Sequence, residues 1–235
     1  MYILGIEAAT PVAGVAMVEN GRILAERLVN NRRTHSVNLL PMIKDIIEEA
    51  GITTKQVNAV AVSSGPGSFT GLRIGMTTAK TLAWIWQIPI IGVSTLEALA
   101  LPLMAREQIV CPILNARKNE VYTSIFRGRT GRPEMLEGPL AIGISELVQK
   151  LEKWPGPVTF VGDAVPVYQE EIIKLLGQRA LFGAQSAQLP RGAAVAELGY
   201  WEMLAGGGVM PLDLEPEYIR LSEAEVKLAA KCESR

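Results

Sequence analysis

The chain has a single histidine, His35, and two cysteines, Cys111 and Cys232, in 235 residues. A zinc or iron centre draws on clustered His and Cys, so that chemistry is excluded at the outset and no metal site is expected. Two thiols so far apart make no disulfide framework and fit a reducing compartment, hence a cytoplasmic protein. Charge of either sign is not in excess: 23 basic residues stand against 24 acidic ones, a formal net charge of −1. Affinity for nucleic acid comes from clustered Lys and Arg, so tight autonomous binding to it is not expected. The basic doublets Arg32-Arg33 and Arg117-Lys118 read as solvated loop residues. The N-terminus lacks a basic segment followed by a long apolar run, so no signal peptide is expected. Residues 74–93 come nearest to a membrane span, but Lys80, Pro89 and three threonines interrupt them, which fits a buried helix followed by a strand.

What is present is ordinary globular composition, 49% hydrophobic and 20% charged. The stretches 2–7, 12–19 and 22–29 read as three successive strands, with Asn20-Gly21 as a hairpin turn. A helix follows from about Ser36 to Ala50, closed by Gly51. Pro41 requires that helix to start near Asn38 or to bend. Residues 57–64 read as a buried strand, about 70–86 as a helix and 88–93 as a strand. Ser94 and Glu97 form a capping box opening another helix. The order is β-β-β-α-β-α-β-α, and it gives a mixed sheet covered by helices. The second half is less regular. Strands are read at 109–116, 120–126 and 157–163, with helices from Ser145 to about Lys153 and from 193 to 204. A last capping box stands at Ser222–Glu225, a weak boundary near Arg106, and no repeat of fixed period is visible.

The most informative segment is VSSGPGSFTGLRIG, residues 62–75. It lacks the Gly-Lys of a P-loop and the third glycine of a dinucleotide fingerprint, and it is not a nucleophile elbow. A serine nucleophile would need His35 as its base, and nothing in the sequence orients that ring. Gly65-Pro66-Gly67 makes a tight turn, and Ser68 or Thr70 can cap the helix behind it. An anion contact at Ser64, Gly65, Gly67, Ser68 and Thr70 is one reading. A tightly capped strand–helix junction is the other, and the sequence favours it. Within the helix, Gly71, Gly75 and Ala79 form a smooth strip. Leu72, Ile74, Met76, Leu82, Trp84, Ile85 and Trp86 spread around the whole circumference. Leu39, Leu40, Met42, Ile43, Ile46, Ile47 and Ala50 of the preceding helix span an arc of about 160°, against about 100° needed to lie on a sheet. The surplus points to contact with a second subunit, with cover by the C-terminal helix of the same chain as the alternative.

These segments resemble the bacterial TsaB (YeaZ) family. The resemblance rests on the glycine loop with its flanking residues 35–52 and 94–100, together with ILGIEAAT at the start, LNARKNEVY at 114–122, VGD at 161–163 and PEYIR at 216–220. It runs over nearly the whole chain. It implies the actin-like ATPase (RNase H-like) fold, an α/β architecture of two subdomains with mixed sheets. These are taken as 1–105, carrying the partner-binding helices, and 106–235, with the C-terminal tail returning to the first. It also implies a non-catalytic dimerisation subunit, with no catalytic residue of its own. Such a subunit partners TsaD, which carries a metal on a histidine pair, and the ATPase TsaE, in threonylcarbamoyl transfer to the adenosine beside the anticodon of tRNAs reading ANN codons. The free subunit would be a homodimer, tRNA would be met only through the complex, and the chain would need no cofactor beyond a nucleotide at the partner interface. Mapped onto this sequence, that interface comprises Leu39, Met42, Ile43, Ile46, Gly71, Arg73, Gly75 and Ala79. Where the family has Asp followed by Thr or Ser, this chain has Glu7-Ala8; where it has Asp before Ala-Arg, this chain has Asn115. Those departures weigh against the alternative of an autonomous actin-fold ATPase or kinase. The glycoprotease label also attached to the family finds no catalytic residues here.

Overall fold

A computed structural model describes residues 1–31, 35–104, 108–129 and 131–220. The boundary near Arg106, the doublet Arg32-Arg33, Cys232 and the capping box at 222–225 lie outside the described residues.

The first three strands form where alternation and the Asn20-Gly21 turn place them: β1 (Tyr2–Glu7), β2 (Ala13–Glu19) and β3 (Arg22–Val29). Asn20 and Gly21 both have positive φ, 49° and 81°, the pair of left-handed residues that a two-residue hairpin needs. There follow α1 (His35–Glu49), β4 (Val57–Gly65), α2 (Phe69–Trp86), β5 (Ile90–Ser94) and the short α3 (Thr95–Ala100). Ser68 caps α2 and Ser94 caps α3, each side chain accepting a backbone N–H from three residues on. Pro41 sits inside α1, which starts at His35 and not at Asn38. The carbonyl deprived of its donor is that of Val37, and Pro41 lies on the exposed side, where water can serve it.

The second half contains β6 (Ile109–Asn115), β7 (Val121–Arg127), β8 (Glu134–Ile142), α4 (Ile144–Leu151), β9 (Val158–Val161), α5 (Val165–Leu176), β10 (Ala180–Phe182) and α6 (Gly192–Leu204). The strands β8 and β10 and helix α5 are not announced by the sequence pattern. The two five-stranded sheets are ordered β3-β2-β1-β4-β5 and β8-β7-β6-β9-β10. In each, two antiparallel hairpin pairings are followed by two parallel crossover pairings. The same unit is therefore built twice, although no residue pattern repeats.

Each sheet is covered on both faces. Helices α1 and α2 cover one face of the first, burying Leu4, Ile6, Val15, Met17, Val60 and Val62. Helices α4 and α5 do the same for the second. The remaining faces are covered crosswise. Helix α6, from the end of the chain, packs Val195 and Leu198 on Ile3, Ala59 and Ala61 of the first sheet. Helix α3, from the first half, packs Leu96 and Leu99 against Val110, Leu114 and Phe126 of the second. Residues 109–182 build the second sheet and its two outer helices, while α6 and residues 205–218 lie against the first half. The unit written from sequence as 106–235 is thus shared between the two sheets. Arg132 joins the crossed helices, its guanidinium bonded to Glu97 of α3 at 2.6 Å and to Glu202 of α6 at 2.8 Å.

Candidate functional site

The carboxyl ends of β1 and β4 point the same way, and open α/β sheets take their ligands in such crevices. The glycine loop starts there. Its Gly65–Pro66 peptide bond is cis. The closest atom facing each of the glycines 65, 67 and 71 is a backbone carbonyl oxygen of this same chain. A Cβ at Gly65, whose φ is +132°, would run into the carbonyl oxygen of Glu217. Cβ atoms at Gly67 and Gly71 would run into the carbonyl oxygens of Ala9 and Ala8. At Gly75 a Cβ would stand 2.9 Å from the Cβ of Ala8. The N–H of Ser68 donates to the Ala9 carbonyl oxygen at 2.7 Å. The loop is therefore a bed for the turn between β1 and β2 on one side and for residue 217 on the other, not an open cradle for phosphate. Ser64 is buried with its hydroxyl on the Val93 carbonyl oxygen at 3.3 Å, whereas Thr70 and Ser68 are exposed beside it.

Glu7 ends β1 fully buried. Ser63 Oγ donates to its Oε2, and the N–H of Ala9 donates to Oε1 at 2.6 Å. Burial pushes its carboxyl up to about 7, against the opposing pull of bonds from Ser63, Ala9 and Thr10. The carboxylate is thus spent on the protein's own donors. His35 is also buried, and its Nε2–H donates to the Thr10 carbonyl oxygen at 2.8 Å. It pins the same turn, which is a structural task and not that of a base beside a serine. In the second half the matching strand end is Asn115. Its N–H donates to Asp163 Oδ1 at 3.0 Å, and its Oδ1 accepts the N–H of Arg117 at 2.9 Å. Burial holds Asp163 above the usual carboxylate range.

Glu7 supplies a pH prediction. Its folded value of about 7 lies above the ordinary 4.5. Its contribution to stability is therefore complete below pH 4.5, falls as pH rises, and levels off above 7, a loss of about 3 kcal/mol at most. A Glu7→Gln variant keeps the bond from Ala9 and can donate to Ser63. It is expected to melt like the parent at pH 5 and several degrees higher at pH 8. Parallel melting curves across that range would refute the assignment.

The interface residues expected from sequence need correcting. Leu39, Met42, Ile43 and Ile46 are buried in the core under α1. Gly71 and Gly75 face Ala8, just after β1, with Val62 of β4 also beside Gly75, and Ala79 is fully buried within the chain. The wide apolar arc is real, but the sheet takes its middle and leaves its flanks outside. Of the expected set Arg73 alone is exposed, its guanidinium 3.9 Å from the centre of the Phe69 ring. What stands outside is Val37 and Leu40 on α1, each 56% exposed, and Trp84 and Ile85 on α2, at 57% and 65%. Sequence reasoning marked Trp84 and Ile85 as surplus but could not single them out. It follows that Gly75→Leu is expected to destabilise the fold by about 1–3 kcal/mol through overpacking on Ala8 and Val62, less roughly 0.8 kcal/mol regained in helix propensity. Urea unfolding measures this, and a variant as stable as the parent would place the strip outside.

Among the described residues no helix is long and apolar enough to cross a membrane. Residues 22–227 match the family model described as TsaD, tRNA N6-adenosine threonylcarbamoyltransferase. The tRNA threonylcarbamoyladenosine biosynthesis protein TsaB of Bacillus subtilis is 31% identical over 227 residues, 97% of each chain. A structure from Pseudomonas aeruginosa, described as a protein with similarity to peptidase YeaZ, superposes with a TM-score of 0.82 at 26% identity, over 93% of this chain and 99% of that one. Inorganic polyphosphate/ATP-glucomannokinase from Arthrobacter superposes with a TM-score of 0.54 at 10% identity, over 88% of this chain and 99% of that one. That last likeness is one of fold alone, and it sets the doubled unit among the actin-like α/β folds.

Proposed function

This chain belongs to the TsaB family of tRNA threonylcarbamoyladenosine biosynthesis proteins, and from that premise we propose that it is the non-catalytic dimerisation subunit of a threonylcarbamoyl transferase. In this role it binds and activates a TsaD-type catalytic paralogue, with TsaE as the accompanying ATPase, and meets tRNA only within the complex. The observation that carries the proposal is the pair of helices flanking the glycine loop, which leave Val37, Leu40, Trp84 and Ile85 in solvent. Four large apolar side chains left in solvent on two neighbouring helices support an interaction surface there. The one histidine cannot supply a metal-binding pair, so the chemistry falls to the partner. The chain requires no cofactor of its own; a nucleotide in the assembly sits at the shared interface, since the glycines of the loop pack on Ala8, Ala9 and Glu217. Alone, the protein forms a homodimer through the same helices.

The test is co-purification with TsaD from the same organism, followed by threonylcarbamoyl transfer to tRNA with and without this chain. Transfer is expected only when both are present. Full transfer by TsaD and TsaE alone, with no co-purification, would overturn the proposal. Sedimentation of the isolated chain at tens of micromolar, roughly where weak interfaces assemble, is expected to give a dimer.

A further inference from the structure

After α6 the chain turns back along the first half. Val209 and Ile90 exchange both main-chain hydrogen bonds, at 2.9 and 3.0 Å, on the edge of β5. Lys80 Nζ donates to the Leu212 carbonyl oxygen at 3.4 Å. Leu214 lies over Gly92, where a Cβ would come 2.9 Å from its Cδ1, and packs against the core beneath α1 and α2. Beyond Pro216 the anchors change. The Glu217 N–H donates to the Ser64 carbonyl oxygen at 2.7 Å. The ring of Tyr218 leans on Phe69 with centroids 5.2 Å apart, and its hydroxyl accepts from Arg73 Nε at 3.3 Å. Arg220 pairs with Glu120. Glu120 belongs to the other half, in the turn from β6 to β7.

We propose that residues 217–220 are a latch between the two halves, closing the crevice at the carboxyl ends of β4 and β6. In four residues the strap passes from the end of β4, before the glycine loop of one half, to the β6–β7 turn of the other. It acts apart from the crossed helices and Arg132, whose contacts do not involve it. The root of the strap, through Leu214, is held by a two-bond bridge and a packed side chain. Its tip is held by groups that open readily. The Arg220 and Glu120 side chains are 34% and 29% exposed, so water screens part of their attraction and the pair holds weakly. Tyr218 is 40% exposed. The turn it fastens carries three successive side-chain-bearing residues at positive φ, Arg117, Lys118 and Asn119, at 62°, 53° and 61°. Side-chain-bearing residues lie higher in energy there than in the right-handed form, so that turn has reason to rearrange when Glu120 is released. The tip also touches the first turns of α2 through Phe69 and Arg73, which makes the latch sensitive to anything that docks there. The latch nevertheless stands whether or not a partner exists.

The test uses the full chain with spin labels on Thr81→Cys of α2 and Glu170→Cys of α5, in a Cys232→Ser background. Pulsed dipolar spectroscopy then reports the distance between the halves, and hydrogen exchange reports the Glu217 amide. The parent is expected to give one narrow distance and a protected amide. Arg220→Ala and, from the other side, Glu120→Gln are each expected to speed that exchange about two- to fivefold and to broaden and lengthen the distance, with the melting temperature unchanged. Tyr218→Ala should reproduce both effects. Fast exchange with an unchanged distance would overturn the latch, because the strap would then be loose without consequence. An amide still protected in all three variants would overturn it equally, because those contacts would not be what holds the tip.

Discussion

A valine at Gly5 is expected to destabilise the protein by about 3 kcal/mol or more, the upper end of what overpacking costs. Gly5 lies in the middle of β1, where helix α6 crosses the first sheet. A Cβ there would stand 2.6 Å from the Ala196 nitrogen and 2.7 Å from the Ala196 Cβ, and would run into the Gly192 carbonyl oxygen. Gly192 has no room to retreat, since its own missing Cβ would be 2.7 Å from the backbone of Val15. Both sides of the contact are main chain, so no side chain can swing aside. Strand propensity works the other way, since valine is the better strand former, and any loss is therefore steric. Lifting α6 would also uncover Ile3, Ala59 and Ala61, which are fully buried beneath it. Urea unfolding with a matched near-UV spectrum measures the effect. A midpoint equal to the parent's would show that α6 is not seated on the sheet as described.

Partner binding is expected to fall at least about a hundredfold in a Leu40→Asp, Trp84→Asp double variant, as anchor residues of an interface do. Both side chains are more than half exposed, so the stability of the free chain should change by no more than about 0.5 kcal/mol per site. The variant therefore separates assembly from folding, which Gly75→Leu cannot do. Titration against TsaD and sedimentation of the free chain give the two readouts. Parental affinity in the double variant would remove these helices from the interface. Loss of the homodimer with TsaD binding intact would mean that the two assemblies use different surfaces.

The first half was legible in the sequence because each element is bounded by strong local chemistry. The Asn20-Gly21 turn, the Ser68 and Ser94 caps and the Gly51 stop leave little freedom. The second half lacks such punctuation. β8 contains Gly138-Pro139, which interrupts alternation, and α5 opens on Val165-Pro166 and leaves Val167, Ile173 and Leu175 exposed, which blurs its face. The doubling of the fold was invisible because it lives in strand order and not in residue identity. The error over Gly71, Gly75 and Ala79 has a different source. A helical arc shows how much apolar surface there is. It does not show which part the sheet will claim, and small residues go where two backbones must come closest, here over Ala8. The return of the tail to the first half was implied by the family resemblance, but not the contacts that hold the strap. Its contacts from Glu217 to Arg220 join residues a hundred or more positions apart, and no spacing rule connects them.

The crossed placement of α3 and α6 has a consequence for synthesis on the ribosome. The first sheet is complete once Ser94 has emerged, yet its second face has no cover until Leu204 follows. At roughly 5–20 residues per second that interval is on the order of ten seconds. During it Ile3, Val18, Ile91 and Val93 stand as a bare apolar wall on a nascent chain. A chain released early, at the seam between the halves, would carry that wall permanently. It would also carry α3 with no second sheet to receive Leu96 and Leu99. Such a fragment is a substrate for chaperones or for aggregation, so a genetic cut at the apparent midpoint divides the chain where its folding is least divisible.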